Sequence, residues 1–100
     1  MNDLKEPTIV LFRVWKDGSG VTALFPYEIH SGYLCTCYAH VGQHSGADYQ
    51  NVMKQTYGAQ PAEYADLLEE LTTLSPEPYV LKIIKRANWS KYRDAVNAAR

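Results

Sequence analysis

TIVLFRVW at residues 8–15, KDGSG at 16–20 and VTALF at 21–25 decide the fold between them. The first run is rich in β-branched and aromatic types, the side chains that best fill a pleated, half-buried surface. Asp17, Gly18 and Gly20 supply turn residues that tolerate positive φ, and a second apolar run follows at once, so the two segments read as a β-hairpin. Pro26 has no backbone donor and is expected to end the second strand.

Outward from this hairpin, residues 33–41 alternate. Tyr33, Cys35, Cys37, Ala39 and Val41 fall on one side and Leu34, Thr36, Tyr38 and His40 on the other, which is a third strand. Gly42-Gln43-His44-Ser45-Gly46 then reads as a loop, after which the period becomes helical. Tyr49, Val52, Met53 and Thr56 share a stripe, with Ser45 or Asp48 as N-cap and Gly58 closing the helix. Pro61 opens a second helix at the position where its missing donor does no harm. There Tyr64, Leu67, Leu68 and Leu71 recur at i, i+3, i+4 and i+7, opposite Glu63, Asp66, Glu69 and Glu70. Ser75-Pro76-Glu77-Pro78 breaks that helix, YVLKIIKR at 79–86 is a fourth strand, and Asn88 caps a terminal helix with Trp89, Tyr92, Val96 and Ala99 on one face. The expected order is β-β-β-α-α-β-α. It describes an α+β fold in which two or three helices cover one face of a mainly antiparallel four-stranded sheet.

A chain of 100 residues suits a single core, so residues 1–100 form one domain, with 1–7 as an extended or disordered lead. Tyr accounts for eight of the twelve aromatics. Such a residue either shows an amphipathic ring to a partner or sits half-buried at the rim of a small core. The net charge of −1 argues against a protein that coats nucleic acid. Five of the eleven acids lie between residues 63 and 77, whereas six of the ten basic residues lie beyond residue 81. These two groups can pair within the chain, between subunits of a homodimer, or with a charged partner. MNDLKEP at 1–7 has no apolar core of a signal peptide, and no apolar run reaches the roughly 18 residues of a membrane span. The expected compartment is reducing cytosol, where Cys35 and Cys37, two apart on a strand, do not form a disulfide.

Three groups of residues carry possible chemistry. Cys35, Cys37, His40 and His44 are zinc-ligand types within ten residues. On a strand, however, the cysteines and His40 face opposite ways, and the spacing is not that of a structural zinc turn. The reading is therefore of no cofactor, with the cysteines packing as small hydrophobes. The second group is the glycine loop. Tyr38, His40, Gln43, His44, Ser45 and Gly46 precede a helix in the arrangement that turns free amides toward an anion, so they form a candidate site for a phosphate or nucleotide. The competing reading is a plain capped turn, since Asp48 can satisfy those amides itself and the loop lacks the P-loop spacing and lysine. His40 and His44 could act as base and acid of a small histidine- or metal-dependent enzyme on a phosphate-containing substrate. They would need an orienting group such as His30, Asp48, Tyr38 or Tyr49, and no catalytic motif accompanies them, so no catalytic residue is assigned. The third group is basic: Lys82, Lys85, Arg86, Lys91 and Arg93, interleaved with Trp89 and Tyr92, is a candidate partner-binding surface. Such a pattern can follow a nucleic acid backbone while stacking bases, or it can simply dock the last helix through its aromatics.

FRVWKDGSGVTALFP, CYAHVGQHSGADY, EYADLLEELTTL and YVLKIIKR together resemble a family of small proteins without assigned activity, encoded by bacteriophages and mobile elements of gut bacteria. The resemblance runs from about residue 10 to residue 86. It transfers no catalytic residue. It implies a non-enzymatic binding protein in the cytoplasm of an infected bacterium, of the kind that inhibits host defence. Such a protein acts in anti-CRISPR fashion by occluding a nuclease complex, or by sequestering a nucleotide signal. The expected partner is then a host defence protein or a nucleotide-type small ligand, in preference to nucleic acid.

Overall fold

The structure, a computed structural model, describes residues 7–39, 44–73 and 79–99, with residues 44 and 45 described by their backbone alone. β1 (Thr8–Trp15) and β2 (Val21–Ser31) form the expected hairpin, with Leu11 opposite Leu24 and Val14 opposite Val21. The Trp15 amide donates to the Gly20 carbonyl at 2.9 Å. Gly18 and Gly20 take φ of 85° and 116°, which a Cβ would oppose. Asp17 accepts from the Ser19 hydroxyl at 2.6 Å and the Ser19 amide at 2.9 Å, bonds that hold its carboxyl below the usual carboxylate range.

Pro26 does not end β2. The register with β3 (Leu34–Tyr38) jumps between Phe25, opposite Thr36, and Ile29, opposite Cys35. Pro26 sits inside that irregularity, where the ladder is interrupted and its missing donor costs nothing.

After β3 the chain returns as β4 (His44–Ala47), antiparallel, with Gly46 opposite Thr36 and Ala47 opposite Cys35. α1 (Tyr49–Gln55) begins behind Asp48, whose carboxylate accepts from the amides of Gln50 and Asn51 at 3.1 and 3.4 Å. This helix stops short of Gly58. Thr56 adopts extended backbone while its hydroxyl donates to the Val52 carbonyl at 2.7 Å, and the chain continues as β5 (Thr56–Gly58), antiparallel to β1. α2 (Pro61–Thr72) starts at Pro61 as expected. β6 (Leu81–Ile83) is shorter than the eight-residue strand expected and pairs parallel to β1, and α3 (Trp89–Ala98) follows the Asn88 cap.

The fold is α+β with a mainly antiparallel sheet, as expected, but the sheet has six strands rather than four. Its order is β4-β3-β2-β1-β5, with β6 also on β1. Helices cover both faces. On one, Val10, Phe12, Ala23, Phe25 and Tyr38 pack under Leu67 and Leu71 of α2. On the other, Leu11, Leu24 and Cys35 pack under Tyr49 and Val52 of α1 and Tyr92 and Val96 of α3. Residues on both sides of β1 are apolar because both are buried, the pattern of a strand enclosed by two layers. Each fully buried Leu contributes about 1.5–3 kcal/mol, so Leu11, Leu24, Leu67 and Leu71 anchor the two layers.

Candidate functional site

The described part of the glycine loop, residues 44–47, is the strand β4, and α1 begins after it behind Asp48. Gly46 belongs to β4, and a Cβ there would stand 2.8 Å from the His30 ring and 3.2 Å from Leu34, so its small size serves packing. Tyr38 is fully buried, and its hydroxyl donates to the Glu70 carboxylate, tying the sheet to α2. His44 and Ser45 sit on β4 opposite Tyr38 and Cys37. His40 and Gln43 lie outside the described residues. Cys35 is buried, and burial pushes its thiol up to about 12, with nearby Cys37 and Asp48 acting in the same direction. Among the described residues no group of three His, Cys, Asp or Glu is gathered for a metal.

The basic group divides. Tyr92 is buried and donates its hydroxyl to the Tyr33 carbonyl, so it docks α3. Trp89 packs against it at 5.2 Å between ring centroids and remains 51% exposed. Lys82, Lys91 and Arg93 are exposed. Lys85 and Arg86 instead line a groove of about 770 Å³ together with Phe12, Arg13, Tyr64 and Ile83.

The topology of β1 makes this groove. β6 occupies the first half of one β1 edge, pairing at Thr8, Ile9 and Val10, and β5 occupies the second half, pairing at Arg13, Val14 and Trp15. The amide of Ile84 donates to the Val10 carbonyl and that of Ala59 to the Phe12 carbonyl, at 2.9 and 3.0 Å, before the two segments diverge. A notch remains where they part. Phe12 and Arg13, being successive, point to opposite faces of the sheet. At an open edge one cavity can touch both, so the notch has an apolar wall and a cationic wall.

Arg13 is fixed in place. Its Nε donates to Thr56 Oγ1 at 2.9 Å, and its Nη2 donates to the carbonyls of Thr56 and Met53 at 2.9 and 3.4 Å. Nη1 lies 3.6 Å from where a Cβ on Gly58 would stand, so the glycine leaves that side of the guanidinium uncovered. Burial lowers the Arg13 pKa, nearby Tyr49 opposes the shift, and the charge of Arg86 adds to it. The two guanidiniums are thus electrostatic neighbours, and among the described residues no carboxylate pairs with Arg13, Lys85 or Arg86. Glu63, near the start of α2, accepts from the Gln60 amide at 2.8 Å.

Arg86 is placed by tyrosines. The amides of Ala87 and Asn88 donate to the hydroxyls of Tyr49 and Tyr27 at 3.0 and 2.6 Å, and the Asn88 side chain caps α3 by accepting from the Lys91 amide at 3.1 Å. Three of the eight tyrosines, Tyr27, Tyr49 and Tyr92, therefore pin backbone, a use distinct from presenting rings to a partner. Sequence reasoning found Lys85 and Arg86 and missed Arg13, whose signal was a lone charge inside an otherwise apolar strand. Searches of protein families, curated proteins and solved structures found no match to this chain.

Proposed function

We propose that this chain is a binding protein whose working surface is the notch on the β1 edge, where it holds a phosphate-bearing ligand without transforming it. One observation carries the reading: Arg13, Lys85 and Arg86 converge on a single cavity with no carboxylate partner among the described residues. Like charges gathered without a counter-ion repel, and a bound anion relieves that repulsion. A guanidinium already held by three hydrogen bonds loses little freedom on binding. The volume of about 770 Å³ falls within the roughly 300–1,000 Å³ of small-molecule sites, which favours a ligand of nucleotide size. The resemblance to phage-encoded proteins supports a place for this activity in the cytoplasm of an infected bacterium. Withdrawing a nucleotide signal there would blunt host defence.

The test is a thermal titration with inorganic pyrophosphate at low ionic strength, comparing the native chain with Lys85→Ala/Arg86→Ala. Ligand at ten times its Kd adds about 1.4 kcal/mol, which raises Tm by roughly 6–11 °C for a domain of this size. The double variant is expected to keep its own Tm and to lose on the order of tenfold or more in affinity. A native chain whose Tm does not respond to pyrophosphate sinks the reading.

A further inference from the structure

The notch has a second wall that a bare anion does not use. Facing α2, Tyr64 stacks on Phe12 with centroids 4.4 Å apart and an interplanar angle of 11°. Phe12 is buried, Tyr64 is half-buried, and Pro61 and the 41%-exposed Ile83 extend the same wall. Arg13, Lys85 and Arg86 line the same cavity, Arg13 from the opposite face of the sheet. The α2 terminus adds little to anion binding, because Pro61 has no amide hydrogen and the Gln60 amide is engaged by Glu63. Arg13 thus meets the cavity from one face of the sheet, and the Phe12–Tyr64 ring pair meets it from the other.

We infer that the notch takes a phosphorylated aromatic compound of the nucleoside monophosphate class, with the phosphate on Arg13, Lys85 and Arg86 and the base against Tyr64, Pro61 and Ile83. This rests on the phosphate-binding reading above and narrows it. A planar base matches a wall built from a stacked ring pair, since aromatic faces prefer offset or edge contacts with other rings. It also suits a site of bounded volume better than a long alkyl chain would.

The decisive comparison uses the native chain with adenosine monophosphate, ribose phosphate and hexyl phosphate, titrated by calorimetry in one buffer. The first two differ by the base alone. Adenosine monophosphate is expected to bind on the order of tenfold more tightly than either of the others. Tyr64→Leu, which keeps an apolar side chain over Phe12, is expected to abolish that preference. Equal affinity for adenosine monophosphate and ribose phosphate overturns the aromatic inference and leaves the phosphate site standing. Hexyl phosphate binding as tightly as the nucleotide also overturns it, in favour of a general apolar wall. If none of the three binds while pyrophosphate does, the nucleotide inference falls and the phosphate site stands; if pyrophosphate fails as well, both fall. The native-chain comparison decides the matter even if Tyr64→Leu does not fold.

Discussion

At Gly58 a single substitution is expected to move stability and ligand binding in opposite directions. Gly58 lies on β5 beside Arg13, where an added Cβ would touch Nη1 at 3.6 Å without clash and there is no positive φ to protect. Gly58→Ala narrows the unfolded ensemble, so it is expected to stabilise the fold by about 0.4–1 kcal/mol. Its methyl covers the uncommitted side of the guanidinium, so pyrophosphate affinity should fall in the same protein. Urea midpoints and a binding titration measure the two effects separately. Cys35 bears on alkaline stability. Its thiol, ordinarily near 9, is raised to about 12 by burial, so the folded state holds its proton more tightly than the unfolded chain does. The stabilisation is complete below pH 9 and is lost as pH climbs toward 12. Tyr79 and Tyr92, also raised chiefly by burial, act in the same sense above the ordinary tyrosine value of 10. Urea midpoints measured from neutral to alkaline pH should decline in this window, and Cys35→Ala should make the decline shallower.

At the scale of elements, the segment between β6 and α3 is held by side chains from elsewhere in the chain. Tyr49 and Tyr27 receive the amides of Ala87 and Asn88, and these bonds fix the backbone next to Arg86. Tyr49→Phe removes one acceptor from a partly buried amide and is expected to cost about 1–3 kcal/mol. Because it loosens Arg86 as well, it should also weaken pyrophosphate binding, whereas Asn97→Ala, at an exposed position of α3, should change neither. The hairpin, α2 and the Asn88 cap were legible in the sequence, because each rests on local chemistry: a glycine turn, a Pro-led leucine stripe, a cap. β4 and β5 were not. Four residues, HSGA, and three, TYG, become strands only because β3 and β1 offer open edges to them. The unbroken apolar run TIVLF suits a strand buried on both sides, yet from sequence alone it reads as part of a sheet covered on one face, because which helix lies on which face depends on tertiary pairing. The notch was half legible for the same reason. Lys85 and Arg86 were visible as a basic run, whereas Arg13 acquires its role only by pairing opposite Gly58 of β5.

For the molecule as a whole, a net charge of −1 conceals two opposed regions. Glu63, Asp66 and Glu69 are exposed on α2, while Lys82, Lys85, Arg86, Lys91 and Arg93 are exposed on and beyond β6. Among the described residues no salt bridge joins the two sets. Near-neutrality is thus an average, and a phosphate-bearing ligand at the proposed notch would meet a local field of one sign. The arrangement of β1 has a further consequence, for solubility. TIVLFRVW combines β-propensity with low charge, the composition that drives chains to stack into fibrils when it is left open along its length. Here β2 covers one side, and the other is closed by two three-residue strands running in opposite directions. An intruding strand laid along them would meet a parallel bonding pattern at one and an antiparallel pattern at the other, with a break between. At the far end of the sheet β4 offers only four residues. The sheet therefore ends on both sides in strands too short and too mismatched to recruit another chain.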